Sequence, residues 1–415
     1  MTGSSALPIS EGDIDKVDAA ADHVQALAPL PRALLSREAL VRAAGGTLDF
    51  GPAEARLRKV LALVGRRGMV AISLALLAWR FFAERRIGKA TCVPISVFVG
   101  IAAMREPLLL KDISSRFGLK PIIIDQRTSK GFSVLPQPNL RLLMRHWIQI
   151  IRESLLLLEN PNPHFNSLDM MSTLTMRCHE LSHLVAIFET AKLERRELKL
   201  FFSNHDLPAH AACLVGLETN FYQHGFLSPA AVFPDFSTMF ALTQYEARHV
   251  ARRNPKLRTE VITSSQEKNS TLSRTIAVAG IYGYINPDIV KMLANLAKNH
   301  GYQVVIRPHP NGESALWSGI NTLSNVAFDS EGSFEEFFVK WRPSFIATWH
   351  STTLLDGLMM GAMPVTFSTG KGKLVLPLRE IALAFPEKRE LLESCLSDTA
   401  TRFQVYDTLQ AVIMR

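Results

Sequence analysis

The side chains able to do chemistry fall into a few short clusters. Ile306-Arg-Pro-His-Pro310 sets a guanidinium and an imidazole two residues apart at the end of an apolar run. Both groups suit a phosphate oxygen, and the two prolines fix the loop so that few rotamers need ordering. A surface turn with an incidental histidine is the plainer alternative. Thr348-Trp-His-Ser-Thr-Thr-Leu-Leu-Asp-Gly357 passes from a β-type stretch into a helical one. Ser351 and Thr352 stand at that helix start, where unpaired N–H groups and hydroxyls together suit a phosphate. Asp356 follows on the first turns, where a carboxylate can accept from ribose hydroxyls; ordinary capping, with Asp356 favouring the helix dipole, is the alternative.

Two further clusters carry candidate bases. Asn220-Phe-Tyr-Gln-His-Gly-Phe226 presents His224 at a strand end where Gly225 allows a sharp turn. A near-neutral imidazole there can accept the proton of an attacking hydroxyl. Ser203-Asn-His-Asp206 ends the preceding strand in the same way, and Asp206 is either a second base candidate or the N-cap of the next helix. A competing pattern is His179-Glu-Leu-Ser-His183, which matches H-E-x-x-H. On a helix it puts His179 and His183 on one face for zinc, with Glu180 as base. Chance produces such a match ~0.02 times in a chain with this histidine content. No third-ligand extension follows, and Glu189, Glu194 and Glu197 are nominal third ligands only, so the zinc reading ranks behind the others.

These clusters need a scaffold that sets strand ends beside one another. The 415 residues suffice for two domains. Short β-rich runs alternate with helical stretches from about residue 90 onward. The first series is Val93–Val99, Pro121–Asp125, Leu198–Ser203, Thr219–Gln223 and Met239–Thr243. The second is Thr259–Thr263, Thr275–Ala279, Tyr302–Arg307, Asn325–Phe328, Ser344–Thr348 and Met363–Phe367. Helices are expected over Leu140–Leu158, Leu174–Leu193 and Asp288–Asn299, the last with Asn286 as N-cap, Pro287 at its first position and Gly301 as its stop. Alternating βα units imply parallel sheets covered by helices on both faces. The fold class is therefore α/β, with two Rossmann-like domains facing a cleft. Residues 1–48 read as a mobile leader, 49–248 as the first domain and 249–415 as the second, with the boundary near Ala247–Asn254.

Charge is concentrated. Between Arg56 and Lys89 nine basic residues face one acid, Glu84, which accounts for the whole net charge of +8. A nucleic-acid binder would spread or repeat its charge, so no nucleic-acid partner is expected. The same window holds an apolar run, Met69 to Trp79, and only residues 68–79 separate Arg67 from Arg80. A spanning helix needs about 20 apolar residues. Basic flanks around an apolar helix suit an anionic membrane surface, and a core helix with solvated arginine ends is the alternative. The four scattered cysteines lack any CxxC and fit reduced thiols in the cytoplasm.

Taken together, QHG, RPHP and S-T-T-L-L-D-G-x-x-x-G-x-x-P-V resemble bacterial GT-B glycosyltransferases that build capsule and lipopolysaccharide, with an HP motif and a following Ser-Ser/Thr motif. The set is also similar to CDP-glycerol glycerophosphotransferases. The resemblance spans Leu198 to Phe367. It implies that His309, Ser351 and Thr352 hold the donor phosphate and that Asp356 contacts the donor ribose. It also implies that Gly280 and Gly283 of Gly280-Ile-Tyr-Gly283 bring backbone close to the donor, and that His224 serves as base. The sialyltransferase motif of two acids followed by glycine is absent; Asp329-Ser-Glu-Gly332 is a poor substitute in the wrong half, which leaves the donor sugar and the base open.

The expected activity is transfer of a sugar from a CMP-, CDP- or UDP-linked donor to a glycan or lipid-linked acceptor. His309 and Arg307 would stabilise charge on the leaving phosphate, with His224 or Asp206 as base. No metal or other cofactor is needed in this design, and no DxD pair appears near a strand end. The Arg56–Lys89 stretch would hold the enzyme on the inner face of the cytoplasmic membrane. A nucleotide-sugar epimerase on the same fold, a non-catalytic partner in polysaccharide assembly and a zinc hydrolase are the alternatives.

Overall fold

The computed structural model describes residues 19–35, 75, 97–100, 113–118, 122–124, 139–159, 167–194, 198–203, 207–223, 227, 231–262, 272–280, 286–308, 317, 319–320, 322–349, 351–367 and 381–414. They form two six-stranded sheets in which every neighbouring pair runs parallel. The first sheet contains β1 (Val97–Gly100), β2 (Ile122–Ile124), β3 (Lys199–Phe202), β4 (Thr219–Tyr222), β5 (Thr238–Ala241) and β6 (Arg258–Val261), in the order β2-β1-β3-β4-β5-β6. The second contains β7 (Ser273–Ala279), β8 (Gln303–Arg307), β9 (Val326–Phe328), β10 (Pro343–Thr348), β11 (Met363–Thr366) and β12 (Leu383–Ala384), in the order β9-β8-β7-β10-β11-β12. Strand order reverses between β1 and β3 in the first sheet and between β7 and β10 in the second. Such reversals open a crevice at the carboxyl edge of an α/β sheet.

The helices are α1 (Pro29–Leu34), α2 (Leu140–Glu159), α3 (Ser167–Leu193), α4 (Leu207–Leu214), α5 (Gln244–Arg253), α6 (Pro287–Asn299), α7 (Phe334–Trp341), α8 (Thr353–Met359), α9 (Arg389–Ser397) and α10 (Thr399–Met414). The central strands β3, β4, β7, β8, β10 and β11 are largely buried because both faces of the sheet are covered there. In the second sheet Ile276, Val278, Val304, Ile306, Phe345 and Ala347 join a core with α6, α9 and α10. The alternate residues Ala277, Val305 and Ile346 face Phe337 and Phe338 of α7. The first sheet divides in the same way. Leu200, Phe202, Phe221 and Met239 meet α3 and α4, while on the other face Phe117 packs against Phe201 and Phe240, and Tyr222 against Phe240.

Local signals act as expected for α6. The Asn286 side chain accepts from the Asp288 amide at 3.1 Å, Pro287 holds the first helical position, and Gly301 follows at φ +72°. The α/β class and the two-unit parallel arrangement stand as expected. Three details differ. The strand expected at Thr259–Thr263 falls in the second series by sequence order, yet β6 pairs with β5, so the chain leaves the first sheet after Val261 rather than within α5. The two-residue edge strand β12 lacks the length to give a pattern.

Residues 19–35, expected to be mobile, are part of the first core. Ala20, Ala21, Val24, Ala33 and Leu34 are fully buried there. Gln25 exchanges two hydrogen bonds with the Phe233 backbone at 3.0 and 2.8 Å, and Arg32 bonds Asp235 at 2.6 Å. The two units also touch each other: α10 packs on α5, and Leu242, just after β5, packs against the second core.

Helix α8 lies very close to β10. A Cβ added at Gly357 would sit 2.3 Å from Ile346 Cγ2, so only glycine allows this approach. Gly357→Ala should lower stability by about 1–3 kcal/mol, read as a fall in the urea midpoint. Adding Ile346→Ala, which removes the obstructing methyl, should give a double-mutant loss smaller than the sum of the two single losses.

Candidate functional site

The described residues among those selected for donor binding follow strand ends at one edge of the second sheet. Gly280 follows β7, Arg307 ends β8, and Ser351, Thr352 and Asp356 follow β10. β10 and β7 are neighbours, with Ala347 opposite Val278, so these segments border the strand reversal. Ser351 acts as a cap: its Oγ accepts from the Thr353 amide at 3.2 Å and lies 2.7 Å from Thr353 Oγ1. The Thr352 side chain makes no capping bond. Asp356 is half-buried in the first turn of α8. The last β10 side chain, Thr348, is fully buried, and its hydroxyl has no hydrogen-bond partner among the described residues. An orphaned buried hydroxyl costs about 1–3 kcal/mol.

Two of the expected roles change in detail. The Gly280 amide donates to the Arg307 carbonyl at 2.9 Å, extending the β7–β8 ladder by one residue instead of pointing at a ligand. Arg307 donates to the carbonyls of Glu331, at 2.9 Å, and Gly332 and stacks on Phe337 with its guanidinium 5.3 Å from the ring centroid. It therefore ties the β9–α7 turn to the end of β8. The same turn is held from inside by Asp329, which accepts from Lys340 and Trp341 at 2.7 Å each and from the Glu331 amide at 3.1 Å. The Lys340 and Trp341 bonds hold the Asp329 carboxyl down at about 2. His309 and Gly283 lie outside the described residues.

At the first sheet, the expected bases His224 and Asp206 also lie outside the described residues, but the segments leading to them are described. Ser203 follows β3, beside the β1–β3 reversal, and Gln223 follows β4. Gln223 belongs to a buried network centred on Glu246 of α5, a residue that no motif singles out. Gln223 Nε2 donates to Glu246 Oε1 at 2.6 Å. The Leu227 amide donates to the same oxygen at 2.9 Å. Thr243 Oγ1 donates to Glu246 Oε2 at 3.0 Å and accepts from the Glu246 amide at 3.1 Å. Gln223 Oε1 in turn accepts from the Leu242 amide at 2.9 Å. Glu246 is fully buried, and that burial pushes its carboxyl up to about 7. The available signal was Thr243-x-x-Glu246, a capping-box spacing; here the glutamate turns inward to the β4 end, whereas Ser333 and Glu336 form the reciprocal box at α7.

The H-E-x-x-H residues lie on α3 as expected of a helix, with the His179 and His183 rings 4.5 Å apart. His179 is buried, His183 half-buried and Glu180 exposed. Among the described residues no group of three or more His, Cys, Asp or Glu is placed to hold a metal. Cys178, Cys213 and Cys395 are free thiols; burial pushes Cys178 and Cys213 up to about 12, which makes them poor nucleophiles. No described helix is long and apolar enough to cross a membrane. The Arg56–Lys89 segment lies outside the described residues apart from residue 75.

Fold and edge together define an α/β protein of two Rossmann-like units, each with a strand-order reversal. Solved structures with similar arrangements include S. aureus MnaA with UDP, at 13% identity, covering 75% of this chain and 91% of that one with a TM-score of 0.45. Os79 from O. sativa in complex with UDP is 12% identical, covering 77% and 94% with a TM-score of 0.45. UDP-GlcNAc 2-epimerase from Neisseria meningitidis bound to UDP-GlcNAc is 10% identical, covering 76% and 94% with a TM-score of 0.45. No protein-family model and no curated protein matches the sequence. The architecture rests on the sheet topology itself.

The buried Glu246 carboxyl makes folding pH-dependent. Its folded value, about 7, lies above the ordinary 4.5. Its contribution to stability is therefore complete below pH 4.5 and lost as pH rises through about 7, by roughly 3 kcal/mol in all. Glu246→Gln keeps one oxygen for Gln223 and Leu227 and donates to Thr243. Urea unfolding at several pH values from 5 to 8 should show this part of the slope in the wild type and its loss in Glu246→Gln.

Proposed function

We propose that the protein is a GT-B glycosyltransferase that moves a sugar or sugar-like group from a CMP-, CDP- or UDP-linked donor to a hydroxyl of a surface polysaccharide or lipid-linked acceptor. The observation that carries this reading is topological. Residues picked by motif between Gly280 and Asp356 are far apart in sequence, yet the described ones share the carboxyl edge of the second sheet, with Gly280, Ser351, Thr352 and Asp356 following the two strands of the reversal, β7 and β10, and Arg307 one strand away on β8. That is where open α/β sheets take nucleotides. The candidate bases follow β3 and β4 of the other sheet, which suits an acceptor bound on the first unit.

In this mechanism the acceptor oxygen forms a bond to the anomeric carbon while the bond from that carbon to the donor phosphate oxygen breaks. The acceptor proton passes to His224, with Asp206 as the second candidate. The departing nucleotide keeps the bonding electrons, and the charge developing on its phosphate is met by His309 and by the hydroxyls of Ser351 and Thr352. Asp356 accepts from the donor ribose. Arg307 serves this site by fixing the turn beside it, and Gly280 by ending β7 without a side chain. The basic, apolar Arg56–Lys89 segment would hold the enzyme against an anionic membrane surface, where lipid-linked acceptors lie.

Thermal unfolding against CMP, CDP, UDP and GDP tests the donor site. One pyrimidine nucleotide should raise Tm, with the rise reduced in Ser351→Ala and His309→Ala relative to each variant's own ligand-free Tm, and a chelator should change nothing. No response to any nucleotide, together with a fall of Tm on chelation, would transfer the reading to the His179–His183 pair.

A further inference from the structure

Helix α2 carries apolar residues on two sides. The inward side is that of an ordinary packed helix: Leu143, Ile150 and Ser154 are buried where α2 lies along α3. The outward side differs. Leu140, Met144 and Ile148, at steps of four, are 57%, 37% and 59% exposed, and half-buried Leu155 continues their row two turns on. Single exposed apolar side chains are common, but several in register along one helix form a patch. The row extends past the helix start. The Asn139 amide donates to Thr190 Oγ1 at 3.3 Å, which sets the beginning of α2 beside the last turn of α3, where Leu193 is 66% exposed. The neighbouring row on α2 is basic. Arg141, Arg145 and Arg152 share one side of the helix and are all exposed. Arg145 also bonds Glu189 of α3 at 2.5 and 2.6 Å. No acid falls in either row among the described side chains; the half-buried Glu153 lies on the far side.

We propose that this outward face of α2 docks on an anionic phospholipid bilayer, with the apolar row entering the boundary of the acyl chains and the arginine row meeting lipid phosphates. The inference needs neither the donor-site reading nor the Arg56–Lys89 segment; it stands on the face itself. The inward side of α2 is fixed on α3, so the helix can only lie flat, and an apolar row from Leu140 to Leu155 is then about 22 Å long. That is the geometry of an interfacial helix, whose apolar side is immersed while its basic side stays among the headgroups. Arginine suits the boundary position, because its stem covers apolar surface while the guanidinium takes phosphate oxygens in pairs. Charge decides between occupants. A second copy of the chain in a two-fold contact would set this face against itself and offers the arginine row no acidic row in return. An anionic bilayer supplies both the apolar layer and the opposite charge. The docked unit is the one to which the proposed function assigns the acceptor.

Vesicle flotation of the full-length protein tests this. Vesicles are phosphatidylcholine alone, or phosphatidylcholine with about 30% phosphatidylglycerol. Wild type should float with the anionic vesicles only, and less so as salt rises. The paired variants Met144→Gln/Ile148→Gln and Arg141→Gln/Arg152→Gln should each lower the bound-to-free ratio by about fivefold or more. All four side chains are exposed, so Tm should stay at the wild-type value in both pairs. A third variant, with Arg66, Arg67, Arg85 and Arg86 changed to glutamine, measures what the Arg56–Lys89 segment adds. Wild-type flotation in either α2 pair would overturn the proposal, whatever the third variant does. So would equal binding to neutral and anionic vesicles, or none to either. A dimer seen by light scattering and lost in Met144→Gln/Ile148→Gln would give the face to a second copy instead. The nucleotide-induced rise in Tm should be the same in both α2 pairs as in wild type, so the donor-site reading stands or falls separately.

Discussion

The pairing of β7 with β10 is the contact on which the second unit depends. These strands are far apart in sequence, and the chain completes β8, β9 and α7 before it returns to lay β10 against β7 in parallel. Because β8 lies beside β7 and β11 beside β10 on the opposite side, the strand order reverses between β7 and β10, the kind of place where open α/β sheets take ligands. The ladder continues past its formal end, since the Gly280 amide still bonds the Arg307 carbonyl, and this keeps the β7 and β8 ends level.

Turns at such an edge need holding, because they carry polar backbone with few neighbours. The second unit does this with charged side chains bonded inward. Arg307 takes the carbonyls of Glu331 and Gly332, and Asp329, itself buried, gathers Lys340, Trp341 and the Glu331 amide. The first unit uses a buried carboxyl, Glu246, for the same purpose after β4. Glu246 is satisfied by hydrogen bonds without any ion pair among its principal influences, which is why burial dominates and its proton is held to near neutrality. Asp329 has a cation at 2.7 Å and goes the other way. Burial raises the first carboxyl, whereas the Lys340 and Trp341 hydrogen bonds lower the second.

The segment 19–35 is a structural part of the first unit. Its alanines and leucines close one end of the helical layer, and three polar ties, Gln25 to Phe233, Arg32 to Asp235 and Asp22 to Arg253, fasten it to the stretch that follows β4 and to the end of α5. Asp22 and Asp235 are largely exposed, and such pairs contribute little by themselves. Burial of the apolar side chains holds the segment more firmly than these pairs do. The same α5 meets α10 of the second unit, so one helix links the N-terminal segment, the Glu246 network and the contact between the units.

Strand and helix positions were legible in the sequence because their signals are local. Apolar runs such as Phe345-Ile-Ala347 mark strands buried on both faces, and Asn286-Pro287 marks a helix start whatever the fold around it. The strand ends at Arg307 and Thr348, where the RPHP and Ser-Thr-Thr clusters lie in sequence, were legible for the same reason. What the sequence could not decide was partnership. Whether Thr259–Val261 joins the sheet before it or after it depends on the open edge of β5, which no residue of that strand reports. The leader's alanine-rich composition looks solvated until Phe233 and α4 exist to cover it. The Thr243-x-x-Glu246 spacing reads as a cap in isolation; only the return of the β4 loop to α5 turns its carboxyl inward. Pairing, burial and the direction of a polar side chain are set by what lies across space, and that information arises only when the sheets close.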